Sequence, residues 1–254
     1  MSQHISQYIQ HIMKSILINY KMWTTLLASC YVLFYNESFH VAWFQYILCI
    51  LYSYLAHRMA HEPLGFLVNR AHIYHHEHTD WTSHVIQVCV ELAAVYSPIF
   101  LLYVVFNSSR IIVPFHPYIF MLFSFFYTST HNINYGLLRV NKVHSEHHGD
   151  YSVNYGPDIC DIIFGTKYPP DSIENTDHYI PNIIVATIIT YLFRHFYENH
   201  SNKEGVKLLL VYVYLGICGV VGIFNVKQLF IEWNKYSKRI NEEFDTGIQE
   251  LIHK

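Results

Sequence analysis

Apolar residues gather in long blocks at 16–35, 41–56, 85–106 and 111–130, with a further pair at 183–197 and 206–224. A helix rises about 1.5 Å per residue, so roughly 20 apolar residues cross a hydrocarbon core of about 30 Å. The pattern predicts an all-α, polytopic membrane bundle with four spans, or six if the last pair adds a C-terminal hairpin over 183–224. The block 41–56 is short, which predicts a helix continuing beyond its apolar boundary. The block 183–197 is also short and carries Arg194 and His195, so an interfacial position is the alternative for it. Two long polar segments, 57–84 and 131–181, separate the blocks, and nothing repeats in tandem. A single membrane domain over 1–254 follows.

Composition agrees with that solvent. Of 254 residues, 52% are hydrophobic and only 14% charged, too few charges for an ordinary soluble domain. Aromatic residues reach 17%, as suits side chains that settle at headgroup level. The basic residues are scattered, and no run suggests a nucleic-acid partner. Lys14, Lys21, Arg58, Arg70, Arg139, Lys142 and Lys167 fall on one side of the expected spans, against mainly Arg110 and Lys203 on the other. The positive-inside rule therefore puts both polar segments in the cytosol. Five cysteines without a CxxC pair read as small buried hydrophobes rather than a disulfide framework. The first residues lack a cleavable signal pattern, so insertion is expected through a retained span.

The polar segments hold the chemistry. His57 and His61 form an HxxxH where the second apolar block ends, and residues four apart share a helical face. His72, His75 and His76 form an HxxHH, and the same spacing returns as His144, His147 and His148. His131 lies between, just past the fourth block. Neutral imidazole ligates zinc, copper, iron and nickel, and one ion rarely takes more than six ligands. Nine histidines at helical spacing on one membrane face therefore favour a dimetal site within a cytosolic histidine-rich helical cap.

The runs HRMAH, HIYHH and HSEHH resemble the signature of the fatty acid hydroxylase and sterol desaturase superfamily. Asn154-Tyr155-Gly156, followed by Asp161-Ile162-Ile163-Phe164-Gly165-Thr166, is similar to the stretch ending in FGT after its last histidine box. The resemblance covers about 57–166 with the preceding spans. It implies two Fe ions, which zinc could replace in a purified protein, together with O2, a lipid substrate and electrons from a b-type cytochrome or reductase. It also implies the endoplasmic reticulum membrane. Some members carry a second His four residues after the one between the boxes, where this chain has Tyr135. Asn132, Asn134, His78 or a water is then left to complete the set.

Each signal has a plainer alternative. Interfacial helices use His as a polar aromatic, and His131 could bond a free carbonyl at a helix end. His78 and His84 read as surface or supporting residues, and His178 as a loop residue near the site. A ligand histidine usually donates its other N–H to an oxygen, and Asp161 is the preferred carboxylate for that task, with a helix N-cap as its alternative. Gly165 is expected to permit a tight turn. Lipid hydroxylation leads over desaturation within the same superfamily. A His-rich metal transporter would need polar groups inside the spans, whose central parts are largely without them. A haem-binding protein would need two facing axial histidines and would leave many ligands unused.

Overall fold

The computed structural model describes residues 2–35, 38–62, 66–100, 116–140 and 142–252, and among these the chain is all-α without a strand. The apolar block 16–35 is divided at Asn19 into α1 (Ser2–Ile18) and α2 (Tyr20–Phe34). Asn19 is buried, and its Oδ1 accepts the Thr176 N–H and hydroxyl, each at 2.9 Å. Holding that contact takes Asn19 to φ −99°, ψ 19°, off the helical course. α3 (Phe39–His61) runs past its apolar boundary, as the short block requires, and so carries His57 and His61 on its last turns.

α4 (Phe66–Glu77) carries the first HxxHH. It is followed by α5 (Trp81–Phe100), whose start is capped by Asp80 accepting the Ser83 N–H at 2.7 Å. α6 (Pro117–Ser129) begins with Pro117, whose missing N–H costs nothing in a first turn. It runs into a π-helical stretch, Thr130–Leu137, closed by the Leu138 N–H on the Ile133 carbonyl at 2.8 Å. Such widened turns recur at functional sites. Residues 101–115, which belong to the expected third and fourth spans, lie outside the described residues.

α7 (Lys142–Gly149) carries the second HxxHH, and α8 (Asp158–Phe164) ends at Gly165 with φ +70°, a left-handed cap where the sequence anticipates a tight turn. α9 (Ile180–Asn199) and α10 (Lys203–Ile252) complete the chain.

Among the described residues two apolar cores form. Leu26, Tyr46, Ile119, Phe123 and Ile183 join α2, α3, α6 and α9, whereas Ala71, Ile86, Val90 and Val221 join α4, α5 and α10. The last two helices thus dock on different groups: α9 on α2 and α6, α10 on α4 and α5. Arg194 is engaged within the first group, bonding the Leu33 carbonyl and lying 5.5 Å from the Phe34 ring centroid and 5.4 Å from that of Tyr118. Among the described residues two helices are long and apolar enough to cross a membrane, Phe39–His61 and the Lys203–Ile240 part of α10. The α3–α4 and α5–α6 contacts join the two groups, and the histidines converge at this seam.

Candidate metal centre

Nitrogen atoms of His57, His61, His72, His76 and His147 lie within 4.8 Å of one another, and those of His75, His131 and His148 form a second such group. The groups adjoin, with the His76 and His148 rings 4.3 Å apart and those of His75 and His76 5.7 Å apart. Eight of the nine expected histidines are therefore brought together from α3, α4, the π-helical stretch and α7. The side chain of His144 lies outside the described residues.

Hydrogen bonds fix which ring nitrogen faces inward. His57 Nδ1 meets the Tyr155 carbonyl and His147 Nδ1 the Val153 carbonyl, both at 2.6 Å. A carbonyl only accepts, so these Nδ1 atoms carry the proton and Nε2 keeps its lone pair. His75 Nδ1 lies 3.3 Å from the Ser83 hydroxyl, which itself donates to the His78 carbonyl. His61 and His76 have no such acceptor on Nδ1.

The inward Nε2 atoms stand close together: His57–His147, His147–His61 and His61–His72 at 3.0 Å, and His72–His76 at 3.1 Å. In the His57–His147 pair, where both protons sit on Nδ1, the Nε2 lone pairs face each other at this distance and repel unless a cation lies between them. Metal–nitrogen bonds of about 2.1 Å at right angles separate adjacent ligands by about 3.0 Å. The donor set thus fits a bound metal ion. In the second group, the buried Nε2 of His75 has no hydrogen-bond partner, which suits a ligand atom there as well.

Electrostatics favour the neutral form of the rings on α4 and α7. Burial, reinforced by neighbouring imidazoles, pushes His75 down to about 2, His147 to about 3 and His148 to about 4. The same causes hold His72 and His76 well below the usual imidazole range. Neutral rings are the form that ligates.

The sequence reading missed a supporting pair on α5. Glu91 is buried and accepts from His131 Nδ1, from the Asn132 amide at 2.8 Å and from the Gln87 amide at 2.9 Å. Because Gln87 spends its NH2 on Glu91, its Oε1 faces His72 Nδ1, 3.2 Å away. One carboxylate thereby orients a histidine of each group, His131 directly and His72 through Gln87. The signal was present as a Gln and a Glu four apart inside the apolar block 85–106, the exception to spans otherwise poor in polar residues. His131 accordingly lies within a helical run and bonds a carboxylate rather than a helix-end carbonyl.

Asp161 works differently from the expected direct contact with a histidine. The N-cap of α8 is Pro157, and Asp161 accepts the Gly156 N–H at 2.7 Å and the Thr166 hydroxyl at 2.8 Å. It thus holds the loop whose Tyr155 carbonyl orients His57. Burial raises the Asp161 carboxyl to about 6. The Asn134 amide is taken up by the His178 carbonyl and Asn182, whereas Asn132 donates to Glu91 beside His131 and keeps a buried Oδ1 without a hydrogen-bond partner. His78 stacks on Tyr74 at 4.0 Å, away from them. His84 lies beside His75, ring centroids 6.3 Å apart, and His178 faces Glu174 across 3.6 Å.

A cavity opens beside the cluster, with His57 and His131 in its wall and Met22, Leu26, Ile50 and Phe126 as its apolar lining. It therefore touches one histidine of each group. No curated protein and no solved structure matches the chain. Residues 42–166, which contain all nine candidate histidines, match the family model described as Fatty acid hydroxylase, in agreement with the superfamily that the histidine runs resemble.

Proposed function

We propose that the protein is a membrane-bound di-iron oxygenase that hydroxylates an unactivated C–H bond of a lipid. The observation that carries this reading is the apolar cavity touching His57 of one histidine group and His131 of the other, so that a chain lying in it meets both metal positions. His57, His61, His72, His76 and His147 would hold one iron, and His75, His131 and His148 the other, with His144 as a further ligand. When bound, the metals supply the oxygen activation that no protein acid or base can provide for such a bond. The balance is RH + O2 + 2e⁻ + 2H⁺ → ROH + H2O, with electrons delivered by a b-type cytochrome or a reductase.

The chain's own groups bind, orient and exclude water. Val153 and Tyr155 carbonyls, Ser83, Gln87 and Glu91 keep Nδ1 occupied and Nε2 directed inward. Glu91 offsets part of the positive charge that neutral ligands leave on two metals. Met22, Leu26, Ile50 and Phe126 provide a dry wall for an alkyl segment. We assign the protein to the endoplasmic reticulum membrane, with four to six spans and the histidines on the cytosolic face.

The test is elemental analysis of the detergent-purified protein with His72→Ala and His147→Ala variants, followed by product analysis with a lipid extract. Close to two metal ions per chain, falling in both variants, and a lipid alcohol as product are expected. Absence of bound metal, or metal indifferent to both changes, overturns the reading. Recovery of an alkene alone replaces hydroxylation by desaturation.

A further inference from the structure

α10 is much longer than a membrane crossing requires. Its 50 residues extend about 75 Å at 1.5 Å per residue, against about 30 Å of hydrocarbon. The surplus is its C-terminal half, where Lys227, Glu232 and Lys235 follow the apolar stretch. Contacts with the histidine-bearing α4 fix the level. Asn225 Oδ1 accepts the Ala71 N–H at 2.8 Å, and Arg70 pairs with Glu232 at 3.0 Å. Residues from Asn225 onward therefore stand level with a helix of the polar segment 57–84, beyond the reach of lipid tails.

These contacts use one face of α10, which also buries Val221. The opposite face carries Ile223, Val226, Phe230 and Trp233, exposed by 74%, 67%, 64% and 65%, with Ile240 two turns further on. Their spacing alternates between three and four residues, with Ser237 at the one polar position among them. In the sequence Phe244 and Leu251 continue the repeat, and Gly247 interrupts it. A stripe recurring every 3.5 residues over four heptads keeps one partner helix in contact along its length, which is the pattern of a coiled-coil seam.

We infer that this stripe is a self-association seam, on which α10 of a second copy of the chain packs in parallel. Two copies inserted in one membrane with the same topology present α10 in the same direction, so each seam residue meets its own counterpart across a two-fold axis. The flanking positions then pair Leu229 with Asn234 and Tyr236 with Asn241, which brings no like charges together, while Lys235, Lys238 and Arg239 occupy positions away from the seam. Aromatic side chains bury roughly 150–250 Å² each, so Phe230, Trp233 and Tyr236 from both copies, with Ile223, Val226 and Ile240, can cover about 1,000 Å², the size a specific interface needs. The inference goes beyond the oxygenase reading and does not depend on it.

Oxidative cross-linking of the full chain in its membrane tests this, with Trp233→Cys and Ile240→Cys on the seam and Lys235→Cys and Arg239→Cys off it. All four positions are exposed, and the wild type with its native cysteines sets the background. The seam variants should form a disulfide-linked dimer at least about tenfold more than the other two, because a disulfide requires Cα atoms within about 7 Å. In detergent the wild type is expected at twice the mass of the 30.1 kDa chain. Trp233→Glu should weaken association about 30-fold or more, the effect of losing an anchor at the centre of an interface, and Trp233→Phe should retain it. Metal content should be equal in wild type and Trp233→Glu, since the seam faces away from α4, so a metal-free dimer would count against the oxygenase reading alone. Equal cross-linking at all four positions, or a monomeric wild type, overturns the inference. A monomer whose Trp233→Cys thiol resists an aqueous reagent only in bilayers would make the stripe a headgroup anchor instead.

Discussion

Gln87 stands between Glu91 and His72, giving its amide to Glu91 Oε1 at 2.9 Å and turning its own oxygen to His72 Nδ1 at 3.2 Å. The amide cannot rotate without placing its NH2 against the protonated Nδ1. Glu91 therefore sets the orientation of a histidine it never touches, and of His131 which it does.

Replacing Glu91 tests that relay. Glu91→Ala leaves the His131 N–H, the Asn132 amide and the Gln87 amide without their acceptor in a buried place. Metal affinity is expected to fall about 10- to 100-fold, the usual effect of losing a group that orients a ligand. Gln87→Leu should weaken it less, since His131 keeps its carboxylate. Competition with a chromogenic chelator measures both, and equal affinity in wild type and Glu91→Ala would refute the relay.

The two histidine groups predict separable losses. His148→Ala removes a ligand from the three-membered group only and should take the metal content from about two ions per chain towards about one, because binding depends on ligand number. His147→Ala removes an Nε2 that stands 3.0 Å from those of both His57 and His61, and should empty the other position. Elemental analysis of each variant and of the double variant checks this, and identical residual metal at a single position in both would contradict two separate groups.

Asp161 predicts a pH effect on stability. Its carboxyl is raised by burial from the ordinary 3.8 to about 6, so the fold favours the protonated form. Such a group contributes stability that is full below about pH 4 and is lost as pH rises through about 6. The difference in Tm between wild type and Asp161→Asn, followed from pH 7.5 to 5, should therefore move in favour of the wild type as pH falls. A difference independent of pH over that range would show that the carboxyl does not titrate there.

Gly165 occupies φ +70°, and no atom lies within 4 Å of the position a Cβ would take. Gly165→Ala therefore meets backbone strain but no clash, and should cost about 1–2 kcal/mol of stability. Thermal unfolding in detergent measures it. Metal content should remain near that of the wild type, because the Thr166 and Tyr155 contacts survive a small adjustment.

The sequence by itself determined what depends on local spacing. Blocks of apolar residues dictated helices, the short block 41–56 required a helix extending to His57 and His61, and HxxHH put three imidazoles on one helical face twice. The glycine of the FGT stretch was legible as a turn, and the structure makes that turn a left-handed helix cap, which excludes most side chains. The partners of the histidines were not, since they come from residues far apart in the chain. Val153 and Tyr155 act through backbone carbonyls, which leave no mark in the residue type, and Asp161 reaches His57 only through the loop it holds. Glu91 was hidden among apolar neighbours, and its place becomes clear only when α5 packs between α4 and α6. Asn19 likewise looks like a polar residue within a span until Thr176, 157 positions away, supplies its partner. Local periodicity sets the direction of a side chain, but only tertiary packing decides what it meets.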